Sequence, residues 1–150
     1  MKLHTTIASV FGIGFIQKGG GTVAAIAFCI AWFFLPAGYA VSYWQLIITF
    51  LICAIGTWSS NVVDGLWGKD SSKVVIDEVA GMAVALLYAP HNIIFILISL
   101  VFFRLFDVWK PMGIRQLEKL PKGWGVMADD VLAGIYAFIV VRLIIYTGWL

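Results

Sequence analysis

A short charged stripe interrupts the apolar sequence between Phe102 and Pro111, and it constrains the fold more than any other feature of the chain. Its members, Arg104, Asp107 and Lys110, recur at three-residue spacing. On an α-helix each such step offsets the side chain by about 60°, so the three share roughly one third of the circumference. Charged groups in apolar surroundings cost several kcal/mol unless they are paired, hydrated or bound to an ion. The stripe therefore requires partners from elsewhere in the chain.

The composition predicts an integral membrane protein. Hydrophobic residues make up 62% of the 150 residues and charged residues only 12%, whereas about a quarter of the residues of a soluble domain are charged. We expect one all-α domain over residues 1–150, a compact bundle of about four to five transmembrane helices after a short N-terminal interfacial or re-entrant helix. A net charge of +2 without a basic block argues against a nucleic-acid partner.

Apolar runs alternate with polar connections along the chain. The run from Thr5 to Ile16 is too short to cross a bilayer, which needs about 20 residues, and is expected to be interfacial or re-entrant. A break at Pro90 divides the later apolar sequence into two arms. The predicted membrane helices cover residues 22–39, 43–63, 79–89 and 93–108, and the last runs from Asp129 or Asp130 to about Trp149.

The order of these helices places three polar stretches on one side of the membrane. Two predicted crossings separate Gln17–Gly21 from Asp64–Lys73, and two more separate the latter from Lys110–Asp130. All eight acidic residues lie on this shared side. Most of the lysines lie there too, so the positive-inside rule predicts that this side is cytoplasmic.

Two acidic pairs and one further aspartate are expected to converge on that face. Asp77 and Glu78 begin one predicted helix, Asp129 and Asp130 begin another, and Asp107 belongs to the charged stripe. Converging carboxylates repel one another unless protons or cations neutralise them, and oxygen ligands without nearby histidine or thiolate suit Mg²⁺. The alternative is that these acids cap helix starts. Two pairs beside buried basic residues favour the metal.

A glycine-rich segment, Gly19–Thr22, precedes the first predicted helix and indicates an anion site. Free backbone N–H groups and the helix dipole attract phosphate at such a start. The segment is not a nucleotide P-loop, so by itself a flexible loop tip explains it equally well. Arg104 and Lys110 are potential phosphate partners and add weight to the phosphate interpretation.

Other catalytic classes find little support in the sequence. His4 lies near the terminus, His91 lies in the predicted far-side turn, and no serine occupies a nucleophile elbow. What remains is metal-assisted attack on phosphorus by water or by an aspartate. An ion-coupled small transporter or channel subunit could use the same carboxylates, and a non-catalytic membrane scaffold is a third interpretation.

Three motifs resemble those of the phosphatidylglycerophosphatase A family. They are Val75–Gly81, Phe103–Pro111 and Gly125–Gly134, whose order and spacing fit that family over nearly the whole chain. The glycine-rich segment departs from the family pattern, because Gly20 stands where a proline is usual. Lys110-Pro111 is also followed by Met112-Gly113 in place of Trp-Pro.

The resemblance implies a Mg²⁺-dependent phosphatase of the bacterial inner membrane that converts phosphatidylglycerol phosphate to phosphatidylglycerol and phosphate. Its site would face the cytoplasm, its partners would be the membrane and the phospholipid substrate, and an oligomer is compatible with the sequence. Asp70 matches an acidic family position and is expected at the periphery of the site. The expected catalytic and metal-binding residues are Asp77, Glu78, Asp107, Asp129 and Asp130. The expected phosphate-binding residues are Arg104, Lys110, Gly21 and Thr22.

Overall fold

A computed structural model describes residues 1–16, 18–69 and 71–148, and the helix is the only extended regular element in these ranges. Two short 3-10 turns, Ile13–Phe15 and Ala37–Val41, flank the second helix. The all-α prediction is confirmed. The helices are α1 (Lys2–Ala8), α2 (Gly20–Phe33), α3 (Tyr43–Trp67), α4 (Ile76–Ala85), α5 (Ile93–Trp109), α6 (Ile114–Leu117) and α7 (Gly123–Thr147).

Several helices begin or end at residues other than those predicted. Helix α2 stops at Phe33, short of the predicted Tyr39, and the chain turns at Pro36, which lacks an N–H for a continuing helix. Helix α3 continues beyond Val63 to Trp67. The predicted end of the last helix, Trp149, lies outside the described residues.

The start of α7 corrects the prediction that matters most for the site. The helix begins at Gly123, where the backbone packs against α3 and the N–H donates to Asn61 Oδ1 at 2.9 Å. Asp129 and Asp130 consequently lie in its second turn, so the prediction that they begin the helix is wrong. They cannot cap it, because capping groups serve the free N–H groups of the first turn.

Two glycines allow α4 and α7 to cross with their backbones in contact. A Cβ added at Gly81 would lie 2.6 Å from the carbonyl oxygen of Asp130, and one added at Gly134 would overlap the carbonyl oxygen of Gly81. Both distances exclude a side chain. Each glycine follows an aspartate, Asp77 or Asp130, by about one helical turn. The crossing therefore brings the two acidic segments side by side.

Uncharged side chains form most of the contacts at the far end of the bundle, where Arg142 Nη1 also donates to the carbonyl oxygen of Tyr88 at 3.4 Å. Gln45, in the first turn of α3, is 1% exposed. Its Nε2 donates to the carbonyl oxygen of Leu86 at 2.8 Å, and its Oε1 accepts from the N–H of Tyr88 at 3.0 Å. The ring of His91 stacks on those of Trp32 and Phe33, with centroids 5.0 and 5.7 Å away.

The number of membrane spans is not confirmed. Within the described residues, one helix, Tyr43–Trp67, is long and apolar enough to cross a membrane. Helices α2, α4 and α5 have 14, 10 and 17 residues, and the longer α7 carries Asp129, Asp130 and Arg142. The expectation of about four to five spanning helices counts the two arms beside Pro90 as crossings, although each is shorter than the about 20 residues of a full crossing.

Candidate active site

A polar cavity of about 210 Å³ opens at the charged end of the bundle. Its walls come from the start of α4, the end of α5, the second turn of α7 and the loops beside them. All five carboxylates predicted to act together line it: Asp77, Glu78, Asp107, Asp129 and Asp130. Five residues not predicted for the site also line it: Ser71, Ser72, Val74, Glu118 and Val126. The structure thus gathers the acidic set in one place, while the roles of its members stay predictions.

The first acidic pair lies in the first turn of α4. Asp77 is 7% exposed, and its Oδ1 accepts the N–H of Glu78 at 3.0 Å. The loop before the helix is anchored by the N–H of Val75, which donates to the carbonyl oxygen of Ala8 at 2.9 Å. The positive end of the α4 dipole favours negative charge at this position. Dipole stabilisation alone leaves most of the burial cost of Asp77 uncompensated, because it contributes about 0.3–1 kcal/mol.

Arg104 lies between two carboxylates. Its Nη1 donates to Asp107 Oδ2 at 2.8 Å, three residues along α5, and to Glu78 Oε2 on α4. Within the described residues, Arg104 is not part of the cavity wall. Arg104 of the charged stripe therefore pairs with carboxylates and connects α5 to the start of α4. Its predicted role in binding phosphate stays a prediction.

Lys110 lines the cavity and connects two of its acidic residues. It ends α5 in the left-handed conformation, with φ at 50°, which directs the chain away from the helix axis. Its Nζ donates to Asp129 Oδ2 at 2.8 Å and to Glu118 Oε1. Burial alone would lower the pKa of Lys110, but hydrogen bonds to Asp129 and Glu118 outweigh burial and raise that pKa above its ordinary value. The side chain is therefore a cation that reaches into the cavity.

Asp77 and Asp130 form no ion pair with any residue that the structure describes. They are 7% and 4% exposed. Lys110, which lines the cavity, and Arg104, which lies behind its wall, form ion pairs with other carboxylates. An ionised carboxylate that is buried without compensation costs several kcal/mol, so protons or a further cation must balance the charge.

The donor chemistry of the cavity fits a hard cation. Its acidic wall offers oxygen atoms, and neither a histidine nor a cysteine of the described chain lines it, which is the pattern that Mg²⁺ prefers. In their present positions, no three acidic, histidine or cysteine side chains of residues 1–16, 18–69 and 71–148 are grouped to hold an ion. Oxygen atoms of Glu78, Asp107 and Asp129 are occupied by Arg104 and Lys110. A bound cation would therefore require these side chains to rearrange.

The predicted glycine site lies beside the cavity. A Cβ added at Gly21 would overlap the carboxylate of Glu78, so the first turn of α2 packs directly on that side chain. Thr22 is not among the described residues that line the cavity. Asp70 lies outside the described residues, and its expected peripheral role stays a prediction.

Two kinds of site residue are missed by the sequence analysis. Glu118 is a single acid in a polar connection, and nothing in its local pattern separates it from a solvated charge. Gly81 and Gly134 carry a stronger signal, because each follows an acidic pair within a few residues. That repeated spacing is what a close helix crossing beside two acidic segments requires.

Buried carboxylates beside an ammonium group are suited to phosphoryl transfer, where catalysis rests on positioning and charge. The helical fold and this cavity therefore fit a phosphatase class. The chain belongs to the phosphatidylglycerophosphatase A family, whose model matches residues 6–145. It is accordingly a phosphatase, and the family resemblance read from the three motifs is confirmed. Membership of this family does not favour the transporter alternative.

Three relatives cover most of the chain. Phosphatidylglycerophosphatase A of Haemophilus influenzae is 37% identical over 93% of this chain and 87% of its own length. The Escherichia coli protein of the same name is 33% identical over 86% and 76%. A Bacteroides thetaiotaomicron protein, provisionally named a phosphatidylinositol-3-phosphatase, is 37% identical over 94% and 92%. No solved structure matches the chain.

Proposed function

We propose that this protein is a Mg²⁺-dependent phosphatase that hydrolyses phosphatidylglycerol phosphate to phosphatidylglycerol and phosphate at the cytoplasmic face of a bacterial inner membrane. The observation that carries the proposal is the convergence of five carboxylates, Asp77, Glu78, Asp107, Asp129 and Asp130, on one cavity in a chain of this family. Two relatives bear the name of this activity.

Exposed apolar side chains support placement of the bundle in the membrane. Ile30, Phe50, Val101 and Leu143, on four different helices, are 54%, 71%, 62% and 57% exposed. Water would oppose so much apolar surface, whereas lipid would not. Helix α3 would span the bilayer fully, and the shorter helices would cross with local thinning or pack largely against protein. The excess of lysines near the cavity favours the cytoplasmic side.

The five carboxylates would hold the metal or orient the attacking water, Asp77 and Asp130 most directly because they form no ion pair within the described chain. When bound, Mg²⁺ would supply Lewis acidity and neutralise charge that develops on the phosphoryl oxygens. Lys110 Nζ would give up its hydrogen bond to one carboxylate oxygen and donate to an oxygen of the substrate phosphate instead. Arg104 would keep Glu78 and Asp107 in place. A direct contact of Arg104 with the phosphate is a prediction from the sequence. The N–H groups at Gly21 and Thr22 would favour the anion at the edge of the site.

The reaction breaks the bond between phosphorus and the terminal glycerol oxygen. Water attacks phosphorus directly, or an aspartate attacks first and water then hydrolyses the phospho-aspartate. On the direct route, a cavity carboxylate accepts a proton from the attacking water and a protonated cavity carboxyl group gives one to the departing glycerol oxygen. On the aspartate route, the carboxyl group first protonates the glycerol oxygen and then, as a carboxylate, accepts a proton from the water that hydrolyses the phospho-aspartate. Both routes give the diacyl lipid alcohol and inorganic phosphate, so atoms balance with water as the sole co-reactant.

Phosphate release from phosphatidylglycerol phosphate by the purified protein in detergent tests the proposal. We expect release that stops when EDTA removes divalent ions and returns when Mg²⁺ is added in excess. An Asp77→Asn variant controls for contaminating phosphatase. Full activity in EDTA would contradict the metal dependence, and wild-type protein that releases no phosphate with Mg²⁺ present would contradict the activity itself. Accessibility of a cysteine introduced at Lys119 to a membrane-impermeant label in intact cells would contradict the cytoplasmic placement.

A second substrate has a specific observation in its favour. The Bacteroides relative is named for phosphatidylinositol 3-phosphate, which, like phosphatidylglycerol phosphate, presents a phosphate monoester on a diacyl lipid. We expect higher kcat/KM for phosphatidylglycerol phosphate when the two lipids are compared in the same detergent at equal surface concentration. A preference for the inositol lipid would reassign the substrate and leave the acidic site unchanged.

A further inference from the structure

An apolar groove of about 630 Å³ lies along α5 and α7, next to the polar cavity. Tyr136 closes part of its wall: the hydroxyl donates to the carbonyl oxygen of Met112 at 2.6 Å, and the ring packs edge-on against Phe106. The hydrogen bond uses the polar atom of the tyrosine, so the groove presents mainly hydrocarbon. The residues that line the groove include Phe106, Trp109, Met112, Tyr136, Ile139 and Val140.

The groove and the cavity share the last turns of α5. Phe106 directly precedes Asp107, and Trp109 directly precedes Lys110. Consecutive helical side chains point about 100° apart, so adjacent sides of one helix serve the apolar groove and the polar cavity. On α7 the groove extends to Val140, about 15 Å along the axis from Asp130. It therefore runs from beside the acidic cavity away from the charged end.

We propose that this groove binds one acyl chain of the lipid substrate while the phosphate of the same molecule occupies the polar cavity. The inference rests on the proposed lipid phosphatase activity and adds a binding site for the hydrocarbon part of the substrate. A diacyl phospholipid joins a charged head to long chains, and the two adjoining sites match that division. Each methylene that enters such a groove adds to binding, so the groove favours diacyl substrates over soluble phosphate monoesters.

A second apolar groove, of about 620 Å³, does not fit this role. It is lined by Trp32 and Tyr39, near the last turn of α2 and the turn that follows. The first turn of α2, at Gly21, lies beside Glu78. The 14 residues of α2 rise about 20 Å, which places this second groove at the opposite end from the polar cavity.

Filling each groove in turn tests the inference. Val140→Trp fills the proposed site, and Ile48→Trp fills the second groove as the matched control. Each variant is assayed with dipalmitoyl phosphatidylglycerol phosphate and with its water-soluble deacylated product, glycerophosphoglycerol phosphate. We expect Val140→Trp to raise KM for the long-chain lipid about tenfold, with KM for the deacylated substrate unchanged. Ile48→Trp should leave the ratio of the two KM values at its wild-type level.

Equal effects of Val140→Trp on both substrates, or a larger change of the ratio by Ile48→Trp, would overturn the inference. Ile139→Trp provides a second filling variant at an exposed position of the same groove, 47% exposed, should Val140→Trp fail to fold. A photoreactive group at the end of one acyl chain separates this inference from the proposed function. Labelling of the α5–α7 groove without phosphate release would contradict only the proposed activity, whereas labelling confined to the second groove would overturn the acyl site.

Discussion

The two ends of this helical bundle both bury polar side chains, but they satisfy them differently. At the far end, the amide of Gln45 meets one backbone donor and one acceptor, so its hydrogen bonds balance without charge. At the cavity end, Asp77 and Asp130 are also buried, yet they form no ion pair within the described chain. A satisfied neutral group contributes to stability, whereas uncompensated charge in a cavity is suited to binding a ligand.

Asp130→Asn should give the largest effect on activity. The substitution keeps the shape of the side chain but replaces a carboxyl group, which can ionise to bind a cation, with a neutral amide, and we expect kcat to fall about 10²-fold or more. The melting temperature should hold or rise, because a carboxyl group buried among other carboxylates is costly. Phosphate release and thermal unfolding, measured on the same preparation, test both expectations.

Asp64→Asn provides the matched control for charge, since Asp64 is a carboxylate near the end of α3 that does not line the cavity. It should keep wild-type kcat. Full activity of Asp130→Asn would contradict the role of the buried carboxyl group in catalysis. Unfolding of Asp130→Asn, with Asp64→Asn still folded, would show that this group serves stability instead.

Gly81→Val comes next, because it separates the helices that bear the acids. A Cβ at Gly81 would meet the carbonyl oxygen of Asp130 and the ring of Phe103, both closer than 3 Å. Forcing these backbones apart should cost about 1–3 kcal/mol in the free energy of unfolding. It should also lower kcat, because the acidic pairs on α4 and α7 would no longer share one cavity. Chemical denaturation and steady-state kinetics measure the two effects.

Gly65→Ala is the control for that substitution. Gly65 lies in α3, and a Cβ there would meet nothing within 4 Å. Alanine at such a helical position should stabilise the protein by about 0.5–1 kcal/mol. A Gly81→Val protein as stable and active as wild type would show that the close crossing is not needed to assemble the site.

Much of the charged end could be predicted from the sequence. Its residues stand out because Asp77, Asp107 and Asp130 interrupt apolar runs, and counting crossings between polar stretches assigns them to one side. Pairing partners could not be predicted the same way. The Arg104 contact with Glu78 and the Lys110 contact with Asp129 depend on how α4, α5 and α7 pack, which local periodicity does not encode.

Helix boundaries were predicted less well, for an identifiable reason. A run of apolar residues has no internal stop signal, so the sequence predicts that α2 extends past Phe33 and that α7 begins at its first charges. The true start of α7 depends on a tertiary contact, the hydrogen bond from Gly123 to Asn61 on α3. The role of Gln45 was equally hidden, since its partners lie more than 40 residues away.

Gln45→Ala tests whether the buried amide at the far end serves stability alone. It would leave the carbonyl of Leu86 and the N–H of Tyr88 buried without their partner, at a cost of about 1–3 kcal/mol in the free energy of unfolding. We expect kcat and KM at low temperature to match those of wild type, because no cavity residue is touched. Gln116→Ala, an exposed position on α6, should leave stability nearly unchanged. A loss of kcat in folded Gln45→Ala protein would show that the two ends are coupled.

Glu118→Gln should produce the smallest change, and it tests how the charged end admits a ligand. Glu118 is half-exposed and shares Lys110 with the buried Asp129. Exposed ion pairs contribute at most about 1 kcal/mol, so stability should barely move. If Glu118 competes with the substrate phosphate for Lys110, KM should fall by up to about fivefold at low ionic strength. High salt should erase that difference, because it screens an exposed pair.

The direction of the KM change is what decides between two roles for Glu118. Competition for Lys110 lowers KM when the carboxylate is removed, with kcat unchanged. Support of Lys110 over the cavity raises KM instead, and Glu118→Asp should then restore part of the affinity. A rise in KM would mean that Glu118 holds Lys110 in place before the phosphate binds, much as backbone groups hold the amide of Gln45 at the far end.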